Sequence, residues 1–337
     1  MKIIDLTNYI KNNDISLATD ILEQCHKYGI LIVKDPRVSE EDNDYFLDML
    51  ENYYQQDDDI ILRDARPEFS YQAGVTPSFV ELPRDHCEKI YHLDQENSAH
   101  KPSGKDPKYR YMWKLGEIPK NTKFSDINSN HVIPENFPNW EKNMNKWGNQ
   151  MLSTVKTVTQ LLAIALNIDK DYFINKSKYG AHLLAPTGID VNKYSIDTIV
   201  AGYHYDISFL TIHGKSRYSG LYIWTKEGKK ILVKVPKGCL LLQVGRELEY
   251  LTGGYCMAGF HEVIINKQAK ELLKKNKSKW RVSTTVFFHM DSDSLLEPID
   301  KFKNEETINK YPPVIQGVYL KDELRYINLS KYLFIYY

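Results

Sequence analysis

The tripeptide His-x-Asp occurs three times in the chain, and together with a later histidine it could bind a metal ion. The copies are His92-Leu93-Asp94, His204-Tyr205-Asp206 and His289-Met290-Asp291. On a β-strand, side chains at positions i and i+2 point to the same face, so an imidazole and a carboxylate at this spacing can reach one ion. Because three copies exist, the tripeptide alone does not show which copy binds a metal. The neighbouring sequence must distinguish the copies.

The copy at His204 and Asp206 lies in a strand-like run and has a suitable histidine downstream. That partner is His261, in a second strand-like run at residues 258–265. His92 lies in a polar stretch, and no histidine follows His289. Two imidazoles and one carboxylate would bind one face of an ion and leave the other face open, as in non-haem Fe(II) oxygenases. The sequence therefore predicts an iron site formed by His204, Asp206 and His261.

A second pair of residues could bind a carboxylate group. Arg281 and Ser283 are also two positions apart, in the last strand-like run at residues 280–289, so they share a face. A guanidinium beside a hydroxyl is suited to a charge-assisted, bidentate contact with a carboxylate. An arginine facing into an apolar barrel beside Phe287 would be costly to bury without such a partner. We expect this pair to hold a ligand carboxylate.

The other histidines of this region are more typical of hydrogen-bonded structural residues, and we interpret His182, His213 and His289 in that way. The aromatic residues at positions 203, 205, 222 and 224 are expected to pack in the core or on the barrel surface. For substrate contacts at the mouth of the barrel, the sequence offers the candidates His182, Tyr222, Trp224, Arg246 and Tyr71.

The elements that must position these residues are short strands. After about residue 179 the hydrophobic period changes from 3.6 to 2, as expected when helices give way to strands. Many short strands separated by turns favour a sandwich or a barrel over a parallel sheet. One short helix is predicted at residues 268–277. The strand-like runs are 198–204, 208–212, 221–225, 231–235, 238–244, 255–265 and 280–289.

The first half of the chain is predicted to be mainly helical. Asp14 can cap a helix that Gly29 ends, a buried strand follows at residues 30–33, and Ser39 opens a second helix. Residues 140–166 carry one apolar stripe, which predicts a long core helix. Residues 55–139 are punctuated by prolines and show no clear period.

Composition excludes several classes of protein. The chain has 337 residues, 42% of them hydrophobic, with 44 basic and 44 acidic side chains. The zero net charge argues against disorder and against a nucleic-acid binder, which needs excess positive charge. The four cysteines lie far apart, and no apolar run approaches the roughly 20 residues that span a bilayer. We expect a cytoplasmic protein in a reducing setting that binds a small molecule, with no nucleic-acid or membrane partner and an oligomeric state that the sequence does not indicate.

These motifs give the chain a resemblance to a known family. It resembles the 2-oxoglutarate- and Fe(II)-dependent dioxygenases, in the branch related to isopenicillin N synthase. The similar segments are residues 4–6 and 25–33 near the start, residues 204–206, 209–212 and 220–223 in the core, Gly245, Leu248, Glu249 and residues 252–254 before 259–263, and Arg281-Val282-Ser283.

The resemblance implies an α+β fold in which a double-stranded β-helix, or jelly roll, carries a helical N-terminal half packed on it. Its divisions would be a mixed helix and strand region at 1–175, the oxygenase core at 176–291 and a C-terminal extension at 292–337. It also implies that Fe(II) is held by His204, Asp206 and His261, and that Arg281 and Ser283 hold 2-oxoglutarate. The implied activity is oxidation of a small organic substrate, chiefly by hydroxylation, with desaturation and ring closure as variants; O₂ is the cosubstrate, and succinate and CO₂ are released.

The chain departs from the family pattern in two places, and other functions stay open. The stretch from His261 to Arg281 is long enough for an extra helix, and Ala185-Pro186 stands where the family often has Tyr-Pro. Either Tyr179, Tyr194 or Tyr203 replaces the missing tyrosine, or the cosubstrate binds in a different position. The alternatives are an iron oxidase or cyclase of the same fold that uses no 2-oxoglutarate, a non-catalytic β-barrel binding module, and zinc-assisted hydrolysis at the same three residues.

Overall fold

Helices and strands alternate in the first half of the chain, and strands dominate the second half. The computed structural model describes residues 2–275 and 277–330, so residue 276 of the predicted helix and residues 331–337 of the C-terminal extension lie outside the described residues. The helices are α1 Thr7–Asn12, α2 Ala18–Tyr28, α3 Glu40–Tyr54, α4 Asp58–Ile61, α5 Cys87–Tyr91, α6 Trp140–Ala165, α7 Tyr172–Lys176, α8 Arg246–Leu251, α9 Lys267–Leu273, α10 Glu305–Lys310 and α11 Gln316–Tyr326, with 3₁₀ turns at Ile15–Leu17, Leu62–Asp64, Pro67–Phe69, Ser125–Ile127 and Asp300–Phe302. The strands are β1 Ile3–Asp5, β2 Ile30–Lys34, β3 Gly74–Thr76, β4 Tyr109–Lys114, β5 Leu183–Leu184, β6 Thr187–Asp190, β7 Ile199–His204, β8 Leu210–His213, β9 Leu221–Trp224, β10 Lys230–Leu232, β11 Leu240–Val244, β12 His261–Ile264, β13 Trp280–Ser283, β14 Thr285–Phe288, β15 Leu295–Leu296 and β16 Val314–Ile315.

Two sheets build the core. The major sheet has the order β1-β2-β11-β8-β14-β5-β4-β6-β13, with β3 attached to β4, and the minor sheet has the order β10-β9-β12-β7. The five predicted strands between residues 198 and 244 are found, with ends that differ by up to three residues. The predicted run at 255–265 is a strand only at His261–Ile264, and the run at 280–289 is two strands divided at Thr284.

The two sheets face each other and enclose a cavity. Val200 and Val263 from the minor sheet and Thr285 and Phe287 from the major sheet line the same interior space. Elsewhere the sheets touch directly, since Ile223 of β9 belongs to one hydrophobic cluster with Leu241 of β11. The strands thus roll into a closed, barrel-like body, as their number and spacing predicted.

The N-terminal half is joined to this body by strands as well as by packing. β2 pairs with β11, and β4 pairs with both β5 and β6. The predicted caps are present, because Gly29 ends α2 in the left-handed conformation and the Ser39 hydroxyl accepts the Asp42 N–H. The long helix α6 buries the predicted apolar stripe, including Met151 and Leu162. Among the described residues, no helix combines the length and apolarity needed to cross a membrane.

The turn into β9 requires glycine at position 220. Gly220 has φ +125°, and a Cβ there would lie 2.1 Å from the Ile264 carbonyl oxygen. We expect Gly220→Ala to lower the free energy of unfolding by about 3 kcal/mol or more, since it adds a backbone clash to conformational strain. Gly238→Ala is the control, because Gly238 also has positive φ (+69°) but a Cβ there meets nothing within 4 Å, and strain alone costs about 1–2 kcal/mol. Urea denaturation measures both, and equal losses would contradict this account.

Candidate metal centre and its two cavities

The structure brings the three predicted metal ligands together at one end of the minor sheet. His204 is the last residue of β7 and His261 the first residue of β12, and the two are direct partners across the antiparallel pair. Asp206 lies two residues beyond the end of β7, outside the strand on which the sequence placed it. One ligand atom from each residue lies within 4.8 Å of the others. Strand pairing therefore supplies the two imidazoles, and the turn after β7 supplies the carboxylate.

The rings are oriented so that their Nε2 atoms face the carboxylate. The Nδ1–H of His204 donates to the Gly202 carbonyl oxygen at 2.6 Å, and that of His261 to the Gly259 carbonyl oxygen at 3.4 Å. Each Nε2 lies 3.8 Å from Asp206 Oδ1, which is too long for a hydrogen bond. An ion with bonds of about 2.1 Å can bridge such a gap, and a backbone acceptor on Nδ1 is the usual support of a metal-binding histidine.

Electrostatics favour the protonation states that metal binding needs. Burial, with a smaller contribution from His261, lowers the pKa of His204 to about 3. Burial alone would raise the pKa of the Asp206 carboxyl, but the two imidazoles beside it lower it below its usual range. At neutral pH, His204 is thus a neutral ring and Asp206 an ionised carboxylate. These are the forms that bind a divalent metal, so the residues fit an Fe(II) ion.

Arg281 and Ser283 line the same inner cavity as the three ligands. The space between its walls, including its open mouth, is about 540 Å³. Arg281 is 4% exposed, and its Nε–H donates to the Ser219 carbonyl oxygen at 3.3 Å. Burial lowers the pKa of Arg281 to about 10, so it remains charged at neutral pH. Within residues 2–275 and 277–330, no carboxylate lies within ion-pair distance of it. A buried cation without a counter-charge is costly, which fits the expected ligand carboxylate.

The inner cavity offers other polar groups where the family's tyrosine is missing. Tyr179, Tyr194 and Tyr203, which the sequence suggested as replacements, do not line it. Tyr203 instead stacks on Phe260, with ring centroids 4.6 Å apart. The polar side chains on the wall include those of Thr187, His213 and Thr285. Tyr194 packs in a cluster with Ile189 and Val191, and Tyr203 in one with Trp224, so neither ring reaches the inner cavity.

A larger outer cavity, of about 810 Å³, adjoins the metal centre and shares His204 and Asp206 with it. Helix α11 covers one side with Leu320, Glu323 and Leu324. None of the five substrate-contact candidates from the sequence lines this cavity. For example, the Trp224 indole donates to the Asn97 carbonyl oxygen, Arg246 pairs with Glu249, and His182 stacks on Phe288; Tyr222 and Tyr71 pack in separate clusters.

A buried charged cluster from the proline-rich region forms a wall between the two cavities, and it was not predicted from the sequence. Arg110 Nη1 lies 2.9 Å from a Glu81 carboxylate oxygen, and Lys108 contacts both Glu81 and Asp106. Burial alone would raise the pKa of Glu81, but Arg110 and Lys108 lower it to about 2. A detectable signal existed, because residues 109–114 alternate aromatic and other side chains with the period of a strand.

Two histidines interpreted as structural also face these cavities. His213 is hydrogen-bonded between Thr285 and Gln243, as expected, yet it lines the inner cavity. His289 is hydrogen-bonded too, and it lines the outer cavity. The structural interpretation is incomplete for both rings, because the sequence does not show which strand faces enclose space.

Two imidazoles and one carboxylate inside a rolled antiparallel sheet define a non-haem metal centre of the facial-triad type. Residues 173–290 match the family model described as the 2OG-Fe(II) oxygenase superfamily. This segment includes all five predicted site residues, His204, Asp206, His261, Arg281 and Ser283. Over this segment, the chain is similar to the 2OG-Fe(II) oxygenase superfamily.

The curated relatives share 20–24% sequence identity with this chain, and their names describe synthases, oxidases and hydroxylases. The chain is 23% identical over 198 residues to Kihadalactone A synthase LFS of Citrus sinensis, and this alignment covers 56% of each chain. It is 20% identical over 315 residues to 1-aminocyclopropane-1-carboxylate oxidase of Dictyostelium mucoroides, covering 80% of this chain and 79% of that enzyme. The aligned region spans only 56% of the Citrus enzyme and 58% of a second plant relative, Azadirone synthase LFS of Melia azedarach.

Solved structures match almost the whole chain. A 2OG-Fe(II) oxygenase family protein from Caulobacter crescentus has a TM-score of 0.76 at 19% identity, covering 97% of this chain and 99% of that one. The Neurospora crassa T7H protein in complex with alpha-KG has a TM-score of 0.74 at 17% identity, covering 96% of each chain. These matches confirm the predicted α+β fold with a double-stranded β-helix core.

Proposed function

We propose that the chain is an Fe(II)- and 2-oxoglutarate-dependent dioxygenase that hydroxylates a small organic substrate and releases succinate and CO₂. The observation that carries this proposal is Arg281, a buried cation without a counter-charge in the same cavity as the three ligands. Such a cavity is suited to a dicarboxylate that contacts the metal at one end and the guanidinium at the other. The family match supports the same pair of cofactors.

Each residue has a defined role in this proposal. His204, Asp206 and His261 hold the iron from one side and leave the opposite side open towards the two cavities. Arg281 and Ser283 bind the distal carboxylate of 2-oxoglutarate by charge-assisted hydrogen bonds. When bound, iron with 2-oxoglutarate and O₂ supplies the oxidising chemistry. The paired charges of Glu81, Asp106, Lys108 and Arg110 keep the shared wall fixed, and the apolar residues of α11 exclude water from the outer cavity.

We propose that the substrate is a small molecule that binds in the outer cavity. Its wall combines apolar side chains such as Leu183 and Phe287 with a few polar groups such as His204, as is typical of small-molecule sites. Solved neighbours were crystallised with thymine (Neurospora crassa T7H) and with JA (JOX2), and small ligands of this kind fit the same proposal. Neither a nucleic acid nor a membrane is part of it.

We also propose the finer assignments that the sequence suggested. These are the isopenicillin N synthase-like branch, a cytoplasmic location, and the divisions 1–175, 176–291 and 292–337. The free thiols of all four cysteines support a reducing compartment. One hydrophobic cluster contains residues of the first two divisions, such as Leu31 and Val286, and Tyr311 of the third, so the divisions name regions of one packed body.

Anaerobic titration of the Fe(II)-loaded protein with 2-oxoglutarate tests the proposed function. We expect a metal-to-ligand charge-transfer absorption band that saturates at one equivalent, and succinate formation once O₂ is admitted. Loading with zinc in place of iron is the control, and it should give neither. A protein that consumes O₂ without a band or succinate would be an oxidase independent of 2-oxoglutarate, and hydrolytic activity with zinc would indicate metal-assisted hydrolysis.

A further inference from the structure

The buried charged wall between the two cavities differs in charge between its two faces, and the proposed function does not yet use this difference. Lys108 lines the inner cavity but not the outer one, whereas Glu81 and Asp106 line the outer cavity but not the inner one. Arg110 lines both cavities. The wall therefore presents basic groups to the cavity proposed for 2-oxoglutarate, and it adds two acidic groups to the cavity proposed for the substrate.

The loaded metal centre would add no positive charge to the outer cavity. Fe(II), the Asp206 carboxylate, the Arg281 guanidinium and the two carboxylates of 2-oxoglutarate have no net charge together. An anionic group in the outer cavity would therefore not be attracted by the centre, and it would lie beside the carboxylates of the wall. Like charges repel more strongly in a site shielded from water than in bulk water.

The two guanidinium groups on the outer wall are already paired with carboxylates. Both Nη groups of Arg110 contact the Glu81 carboxylate, at 2.9 and 3.2 Å. Arg110 Nε has no hydrogen-bond partner among the described residues, but protein atoms cover it. Arg84 pairs with Glu323, and its guanidinium lies 4.4 Å from the centre of the Tyr326 ring. Each guanidinium is thus neutralised by the carboxylate beside it.

Asp106 has one carboxylate oxygen that is not used within the protein. Its Oδ2 accepts a hydrogen bond from the Lys108 ammonium, and its Oδ1 makes no hydrogen bond to any described residue. The backbone is fixed on both sides, since Asp106 N–H donates to the Glu81 carbonyl oxygen at 2.9 Å and the Phe79 N–H donates to the Asp106 carbonyl oxygen at 2.8 Å. Oδ1 is therefore a preoriented acceptor on the wall of the outer cavity.

The contact with Lys108 favours the ionised form of Asp106. Burial raises the pKa of the Asp106 carboxyl, and the Lys108 ammonium opposes this rise. Glu81, Asp106, Lys108 and Arg110 have no net charge when all four are ionised. A buried group of charges is tolerated best when each charge has an opposite partner, so the wall presents Asp106 as a carboxylate.

We propose that the substrate is a small organic amine whose protonated nitrogen donates a hydrogen bond to Asp106 Oδ1. The apolar side chains of Met112, Leu183 and Phe287 line the same cavity and suit the hydrocarbon part of such a molecule. The proposal rests on the proposed function, because it names the chemical class that the oxygenase site takes.

Calorimetric titration with three probes tests the proposal on the Fe(II)- and 2-oxoglutarate-loaded protein at pH 7 without oxygen. Benzylamine is an ammonium ion at this pH, ethylbenzene has nearly the same shape without charge, and benzoate is an anion. We expect benzylamine to bind on the order of tenfold more tightly than ethylbenzene, the ratio expected of one hydrogen bond to a charged acceptor. Benzoate should bind more weakly than either.

Two variants remove the acceptor while keeping the cavity. Asp106→Asn has the same size without the charge, so the preference for benzylamine should disappear. The double variant Asp106→Asn with Lys108→Met removes an acid and a base together, so the wall stays neutral and the preference should again be lost. Ethylbenzene affinity should be unchanged in both, which shows that the cavity is intact. Asp59→Asn is the control, because Asp59 is exposed on α4, and it should keep the full preference.

The outcomes distinguish failure of this proposal from failure of the proposed function. Equal binding of benzylamine and ethylbenzene would overturn the substrate class. A preference that survives both variants would overturn the role of Asp106 and indicate that the amine binds the metal. Benzoate binding more tightly than benzylamine would also overturn the proposal and indicate Arg84 as the partner of an anion. Absence of the charge-transfer band would overturn the cofactor assignment, and the ratio measured on the zinc-loaded protein would still decide the role of Asp106.

Discussion

Asp206→Ala is expected to reduce conversion of 2-oxoglutarate to succinate by at least about 10³-fold, because it removes the charged ligand of the metal centre. His204 and His261 would remain 4.1 Å apart between ring centroids, but two imidazoles alone bind Fe(II) far more weakly than a set that includes a carboxylate. The measurements are bound iron after anaerobic gel filtration and succinate formed per minute in the absence of any second substrate.

The stability of the metal-free protein shows whether the loss of succinate formation in Asp206→Ala results from unfolding. Asp206 is 7% exposed, so replacing it with a methyl group removes a buried charge, and the melting temperature without metal should stay the same or rise. Asp94→Ala, in an exposed copy of the same tripeptide, should leave both iron binding and succinate formation unchanged. Undiminished succinate formation by the Asp206 variant would mean that the centre has another ligand, and no formation by either protein would favour a non-catalytic binding module.

The metal ligands could be predicted from sequence because their signals are local. The two-residue spacing of His204 and Asp206 and the strand-like run around His261 are visible within windows of a few residues, and so are the spacing of Arg281 and Ser283 and the caps at Gly29 and Ser39. The pairing of His204 with His261 is not local. It depends on the antiparallel register of β7 and β12, which a pattern of alternating side chains allows but does not specify.

The wall of the outer cavity could not be predicted for the same reason. It combines Glu81 and Arg110 from the proline-rich region, His289 after β14 and Leu324 from α11, and these segments are far apart in the chain. No segment, taken alone, has a sequence feature that marks it as part of a cavity wall. Glu247 and His289 are separated by 42 positions. Only the folded chain shows that the buried Glu247 carboxylate is hydrogen-bonded to the His289 ring.

Arg281→Gln is expected to raise the dissociation constant of 2-oxoglutarate on the order of 100-fold, because it removes the charged partner of the distal carboxylate. The charge-transfer band measures that constant in the Fe(II) protein without oxygen. Ser283→Ala removes one hydrogen bond and should raise the constant by about three- to tenfold. Iron affinity should not change in either variant, since neither side chain belongs to the metal ligands.

A shortened cosubstrate shows whether Arg281 acts on the distal carboxylate itself. 2-Oxobutyrate has the keto acid group that meets the metal but lacks the second carboxylate, so its dissociation constant should be similar in the unmodified protein and in Arg281→Gln. The unmodified protein should therefore bind 2-oxoglutarate much more tightly than 2-oxobutyrate. In Arg281→Gln the two dissociation constants should be nearly equal. Arg63→Gln is the control, because Arg63 is exposed and its ion pair with Glu135 is long, at 3.7 Å. If Arg281→Gln weakened the binding of both acids equally, the guanidinium would stabilise the cavity and would not bind the distal carboxylate of 2-oxoglutarate. Any carboxylate that contacts Arg281 would then have to belong to the substrate.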